Sequence, residues 1–559
     1  MALTSSESPK PLEIILIPYV TPGHLVPLSE IGCLFASRNQ QVTIITTTDT
    51  APVVEKTIKQ CKSSGHPISV HPIPFPYKDV GLPEGLAMEQ AKDMDTATKY
   101  YHGLGLMRSA MQDFMRTRQP DCIIADKFFP WTSDFAETLD IPRIVFDPCF
   151  MFAKAVQEAL LNPNSPHLLV KSDYEPFVIT DLPRPITATR SRLPANNYAK
   201  LLALQREAEV KSFGVIINSM AEMEAEFSEY YAKKVGFKAF HVGPTCLIHE
   251  NADAKIERSH DSVVSKDQVL TWLDSKNPSS VLYISFGSVC ALPDAQLMEI
   301  ACALESAGCD FIWVVRGKND GDGNGDDNAT WQPKEGKNDS KENDDDDATW
   351  QSKKGKNDGD ENGDDNVTWQ PKESKNDGDE NGEDNVTCQP KKGKNHGDDN
   401  ATWQPKEFNK NGKGLILKGW APQLLILQHP STGGFLTHCG SNSVMEAVIA
   451  GVPLVTWPLI ADQFCNEMFV SQVLGIGVEV GVEDWRFFSE DRKIVTRDEI
   501  EKAVRVLMDG GDRVDEIRRK SKELGDKVVG AVKRGGSSYE NLSNLIGELK
   551  QLRVKRLEE

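Results

Sequence analysis

An α/β fold with parallel sheets, interrupted by an acidic insertion, is what this sequence predicts, and three observations predict it. Short apolar runs of strand character alternate with helical patterns along most of the chain. Between Trp420 and Gln463, strand-like runs end directly ahead of helix starts. From residue 317 to 407 that patterning stops and a 19-residue repeat replaces it.

The elements follow in order. Leu12 to Val20 and Gln41 to Thr47 read as buried strands, with the helical run Leu25 to Arg38 between them. Asp121 to Asp126 and Arg143 to Phe146 continue the layer, and Ser212 to Asn218 supplies a later strand. After Gly243-Pro244, the polar stretch Ile248 to Ser265 reads as a linker. Ser280 to Phe286 opens a second set of strands, resumed past the insertion at Gly414 to Lys418. Ser538 to Leu552 carries apolar residues at helical spacing.

At 559 residues the chain is long enough for two cores. A net charge of −20 argues against a nucleic-acid partner, because phosphate binding needs a basic surface. Residues 317–407 hold 25 acidic and 13 basic side chains, so they carry −12 of that charge. Eleven cysteines without C-x-x-C spacing fit reduced thiols in a cytoplasmic protein better than a disulfide framework. The opening MALTSSESPK lacks the pattern of a signal peptide, and no apolar run reaches the roughly 18 residues of a membrane span.

The repeats begin at Gly317, Gly336, Gly355 and Ser374, with a shortened copy at Gly393. Trp331, Trp350, Trp369 and Trp403 mark the same place in four copies, and Cys388 replaces Trp in the other. One apolar residue per unit cannot build a core, so disorder is expected. The units miss the D-x-D-x-D-G calcium loop with its closing Glu. Sequons at Asn328, Asn366, Asn385 and Asn400 recur because they sit in the repeat, and without a secretory route they are inert. Lengthening a loop from about 15 to about 100 residues adds only roughly 1.7 kcal/mol of closure entropy, so a tandem-duplicated surface loop is tolerable.

Chemistry concentrates in two places. In the segment 420–463, His438 ends a strand-like run, and Gly440, Asn442 and Ser443 open a helix whose free N–H groups suit an anion. Ser443-Val-Met-Glu446 also fits a capping box, which would occupy Glu446 structurally. Trp420 could stack on a base or simply pack. Near the N-terminus, His24 follows the first strand, and Asp126 ends another. Both therefore reach the carboxyl edge of the sheet, where α/β folds bind ligands. Histidine titrates near neutrality and suits a general base, and a carboxylate beside it would fix its tautomer.

The segment WAPQLLILQHPSTGGFLTHCGSNSVMEAVIAGVPLVTWPLIADQ closely resembles the signature box of plant UDP-glycosyltransferases acting on small molecules. That resemblance implies GT-B architecture, two Rossmann-like domains facing across a cleft. It implies an acceptor domain over 1–245, a linker over 246–265 and a UDP-sugar domain over 266–537 interrupted by 317–407. A final helix over 538–559 would pack back on the first domain. By resemblance, Trp420 stacks on uracil, Ala421 and Gln423 hold its edge, and Glu446 takes the ribose hydroxyls. His438, Gly440, Asn442, Ser443 and Ser288 would meet the phosphates. Asp462 and Gln463 would read the sugar, with Gln at the last place usually accompanying glucose. The family normally has Trp, offering chiefly its backbone N–H, where this chain has Ser441, so binding should survive while UDP-galactose or another UDP-sugar stays open as the alternative to UDP-glucose.

The resemblance further implies that His24 is the catalytic base, with Asp126 as its charge partner. It implies inverting transfer from UDP-glucose to a hydroxyl or carboxyl, with no metal or other cofactor. Phe75, Phe128, Phe129, Trp131, Phe146, Phe150 and Phe152 either line an aglycone pocket or belong to the core. The phrases Val215-Ile-Ile-Asn218, Ile476 to Gly481 and Trp485 resemble the branch acting on flavonoids, phenylpropanoids and triterpenoid saponins. The expected partners are a UDP-sugar and a small aglycone, met by a monomer. A non-catalytic UDP-sugar-binding scaffold is the reading from another class, which the paired His24 and Asp126 speak against.

Overall fold

The computed structural model describes residues 10–91, 93–193, 199–249, 266–287, 292–315, 367–371, 388–392, 408–409, 411–485 and 492–559. Two parallel sheets organise the chain outside the repeats. The first has seven strands: β1 (Glu13–Ile17), β2 (Gln41–Thr47), β3 (Ile68–Ile73), β4 (Cys122–Asp126), β5 (Arg143–Asp147), β8 (Gly214–Ile217) and β9 (Lys238–His241). Their order is β3-β2-β1-β4-β5-β8-β9. Between β5 and β8 a small antiparallel pair intervenes, β6 (Phe177–Ile179) with β7 (Ile186–Ala188). The second sheet contains β10 (Val281–Ser285), β11 (Asp310–Val315), β14 (Gly414–Lys418), β15 (Thr432–Thr437), β16 (Leu454–Thr456) and β17 (Gly477–Glu479). Its order is β14-β11-β10-β15-β16-β17. These are two Rossmann-like domains facing across a cleft.

Strand character follows composition. β4, β5, β10 and β15 are buried along their whole length, as strands covered on both faces must be. The strand order reverses between β1 and β4 in the first sheet, and between β10 and β15 in the second. Those reversals open a crevice at the strands' carboxyl ends. Both chemical centres of the sequence lie there.

The helix Ser537–Glu558 buries Leu542, Leu545, Ile546 and Leu549 in the core that contains Ile14, Ile44 and Ile124 of the first domain. Arg553 and Arg556 from its last turns bind the two oxygens of Asp121, at 3.2 and 3.0 Å. The domains also meet through Phe469, which stacks on Phe152 at 5.1 Å and lies 5.3 Å from Phe150. Arg192 crosses to the carboxylates of Glu467 and Glu479. Burial pushes the Glu467 carboxyl up to about 8, against the opposing pull of Arg192.

The insertion lies in the crossover from β11 to β14. The chain resumes with Phe408, stacked on Phe311 at 5.7 Å and edge-on to Trp313 at 6.2 Å. Asn409 follows with φ of 61°, and its amide exchanges two 2.7 Å hydrogen bonds with the backbone of Gly414. Of the repeats, β12 (Val367–Pro371) and β13 (Cys388–Lys392) form an antiparallel pair, which the sequence reading did not anticipate. β12 covers the β-prone Val367-Thr368-Trp369 step of its unit, whereas β13 begins at Cys388. The expectation of disorder otherwise falls on residues outside those described, as does most of the linker expected over 246–265. Thr245–Ile248 makes a single 3₁₀ turn.

Candidate active site

His24 was expected in a loop ahead of a helix beginning at Leu25. The helix instead starts at Pro22 and puts His24 in its first turn. Proline at the first helical position supplies the required φ and gives up an N–H that would have had no helical partner. His24 Nδ1 lies 2.7 Å from Asp126 Oδ2, across 102 residues of sequence. Asp126 is fully buried while His24 keeps 19% of its side chain exposed. The other carboxylate oxygen, Oδ1, accepts from the Phe128 N–H at 3.0 Å. Tyr19 stacks on Phe128 at 4.5 Å and meets the His24 ring edge-on at 5.5 Å. Burial, with the Asp126 charge beside it, holds the Tyr19 phenol well above its ordinary range. It therefore stays neutral.

On the opposite rim, His438 follows β15, and its ring lies against two glycines. A methyl group on Gly287 would stand 2.5 Å from His438 Nε2, and one on Gly440 would stand 2.6 Å away. Gly287 also has φ of 73°, so both its freedom and its lack of a side chain are used. The helix Ser441–Ala450 begins with Gly440 as its cap residue, without a side-chain cap bond. Ser443 is thus inside the helix, and the capping box considered for Glu446 does not form. Gln423 instead donates from Nε2 to Ser443 Oγ at 3.1 Å and to Glu446 at 2.9 Å. Its Oε1 accepts from Tyr283 at 3.4 Å.

Gln463 turns its Oε1 back to the N–H groups of Leu459 and Ile460, at 2.8 and 2.9 Å, and keeps its NH₂ as a donor. Asp462 Oδ2 accepts from Ser441 Oγ at 2.7 Å. Ala421 is buried and Trp420 half-buried beside it. Ser288 lies outside the described residues.

The two rims touch at the chemistry. Asn442 Nδ2 donates to the Gly23 carbonyl at 2.9 Å, one residue before His24. Its Oδ1 accepts from Asn218 at 3.2 Å, and Asn218 Oδ1 accepts from the Thr245 N–H at 2.9 Å. Sequence reasoning missed Asn218 and Asn466. Asn466 stands four residues after Asp462 on one helix face, a spacing that could have flagged it.

The aromatic group divides. Phe75, Phe129 and Phe146 are core, while Phe150 and Phe152 are buried against Phe469 and fasten the domains together. Phe128 and Trp131 are half-buried. Among the described residues no group of three His, Cys, Asp or Glu side chains is arranged to hold a metal ion. No helix of the described residues is long and apolar enough to cross a membrane.

The two-domain α/β fold places a His–Asp pair at one switch point and, at the other, a helix start whose free N–H groups suit an anion. The chain belongs to the UDP-glucoronosyl and UDP-glucosyl transferase family, which it matches over residues 87–334 and 399–521. It is a UDP-sugar-dependent glycosyltransferase. It is 40% identical to UDP-glucosyl transferase 73CC6 of Saponaria officinalis, over 98% of each chain. It is 35% identical to the soyasapogenol B glucuronide galactosyltransferase of Glycine max, over 98% of this chain and 97% of that one. Among solved structures, Glycyrrhiza uralensis UGT73P12 complexed with glycyrrhetinic acid 3-O-monoglucuronide is similar at a TM-score of 0.78. That pair shares 33% identity over 98% of each chain.

Proposed function

We propose that this enzyme transfers glucose from UDP-glucose to a hydroxyl, or a carboxyl, of a small apolar plant aglycone of the flavonoid or triterpenoid type, with inversion. The observation that carries the reading is the 2.7 Å contact between His24 and Asp126, with Asn442 of the donor helix bonded to the adjacent Gly23. Asp126, buried and held by Phe128, keeps the proton on His24 Nδ1 and leaves Nε2 as the base. Nε2 takes the acceptor's proton as its oxygen bonds to the anomeric carbon. The bond from that carbon to the β-phosphate oxygen breaks, and its electron pair leaves with UDP.

The charge developing on UDP falls to His438 and the free N–H groups opening the helix Ser441–Ala450, so this chemistry needs no metal in our reading. Ser288 is assigned to the phosphates, Trp420, Ala421 and Gln423 to uracil, Glu446 to the ribose, and Asp462 with Gln463 to the sugar. Gln463 and the glucosyl transferase from Saponaria officinalis support glucose. Ser441 and the galactosyltransferase from Glycine max support UDP-galactose as the second reading. Nine free cysteines among the described residues support a cytoplasmic location. Incubating the purified protein with radiolabelled UDP-glucose and a panel of flavonols and triterpene acids tests the assignment. Labelled glycosides of β configuration are expected, and UDP-glucose recovered intact from every acceptor would end it.

A further inference from the structure

Asp462 Oδ2 receives two hydrogen bonds from within the protein, from Ser441 Oγ at 2.7 Å and from Asn466 Nδ2 at 2.8 Å. The same Nδ2 lies 2.9 Å from the Cys439 carbonyl and 3.2 Å from Ser441 Oγ. Asn466 is fully buried, and its Oδ1 is enclosed without a hydrogen-bond partner. Exchanging the oxygen and nitrogen of that amide would set Oδ1 against a carbonyl and a carboxylate. The neighbours therefore decide the orientation. An unpaired buried acceptor is destabilising, and here it persists where three acceptors converge on one NH₂. Cys439, buried and with φ of 64°, makes the turn between His438 and the helix.

We propose that Ser441 and Asn466 are positioning residues for the choice of donor sugar, holding Asp462 in one orientation with Oδ2 saturated. This rests on reading Asp462 as a sugar contact. A carboxylate free to rotate offers either oxygen and tolerates a hydroxyl in either configuration. Pinned by two donors, it leaves Oδ1 as the main acceptor and discriminates between configurations. Ser441 is also the first residue of the helix whose N-terminus meets the diphosphate. Ser441 thus faces both ends of the donor site, its backbone N–H at the helix start and its side chain on Asp462, and only the side chain is changed in the test.

The test measures the ratio of kcat/KM for UDP-glucose to that for UDP-galactose in the parent, Ser441→Ala and Ser441→Thr enzymes, with UDP affinity determined by calorimetry. Loss of one charge-assisted hydrogen bond is expected to shrink the parent's preference about five- to tenfold in Ser441→Ala, mainly through KM. Ser441→Thr, which keeps the hydroxyl, is expected to stay within about twofold of the parent, and UDP affinity within about twofold in all three. Should Ser441→Ala not fold, Ser441→Cys, with its weaker donor, is read the same way. An unchanged ratio overturns the proposal. So does a loss of UDP affinity equal to the loss for the UDP-sugars, which would make Ser441 a support of the turn alone. A parent enzyme that turns over neither donor instead removes the hexosyl reading on which the proposal stands. A parent preferring galactose removes only the glucose assignment, because the change in ratio still decides the role of Ser441.

Discussion

The two rims of the cleft reach their chemistry by opposite routes. On the first domain, the proposed chemistry rests on one polar pair, His24 with Asp126, brought together by strand order from 102 residues apart and framed by Tyr19 and Phe128. On the second, the polar groups come from one contiguous stretch and already bind each other. Gln423 holds Glu446, Ser441 holds Asp462, and Gln463 caps its own turn. A sparse rim can be disabled by one substitution. A cross-braced rim spreads the loss, because Glu446 and Asp462 are each held by another residue of that rim.

The largest expected effect lies on the sparse rim. His24→Ala should lower turnover on a weakly acidic hydroxyl by about 10²-fold or more, the scale of lost general-base catalysis. UDP affinity should hardly change, because the proposed donor site lies on the opposite domain. Steady-state kinetics with UDP binding measured in parallel checks both, and retention of most turnover would break the contrast. Asp126→Asn follows, with an expected loss of about tenfold or more at nearly unchanged UDP affinity, since it keeps shape but loses the charge that steadies imidazolium. Phe469→Ala probes the seam between the rims. Removing a ring packed on Phe150 and Phe152 should cost about 3–5 kcal/mol of stability, read as a lower denaturation midpoint.

On the braced rim the effects should be smaller. Gln463→His should move donor preference only part of the way toward UDP-galactose, because one hydrogen bond is worth about 1–3 kcal/mol here and Asp462 remains. Competition between the two donors measures the shift. A complete reversal would show that Gln463 acts alone rather than within a network. The smallest effect belongs to the insertion. Replacing residues 318–406 with a short Gly/Ser linker should leave turnover and KM for UDP-glucose within about threefold, without lowering the melting temperature. Loss of activity in a folded variant would tie the repeats to the site.

The same contrast explains what could be read in advance. The bounds of β2 and β14 were legible because unbroken runs such as Val42-Thr-Ile-Ile45 and Leu415-Ile-Leu417 have no other economical conformation in a parallel sheet. The strand, turn and helix order of the segment 420–463 was legible too, since the box is continuous. The partners of its side chains were not. Whether Glu446 binds its own helix or Gln423 depends on where the short helix Gln423–Leu427 lands, a tertiary fact absent from the local pattern. The start at Pro22 was missed because apolar periodicity begins only at Leu25, while the proline signal lies ahead of it. The aromatic cluster stayed unsorted because a core ring and a seam ring share the same composition, and only contact with Phe469 separates them.

Phe408 and Asn409 carry a consequence for heredity. Phe408 packing on Phe311 and Trp313, and the paired hydrogen bonds between Asn409 and Gly414, restart the second sheet's domain within two residues of the last repeat. Tandem copies of 19 residues are the kind of tract that replication slippage lengthens and shortens. Each gain or loss of a unit changes the length of chain between β11 and that return point. If the insertion can be replaced without loss, as predicted above, alleles differing by whole repeats should encode enzymes of equal activity.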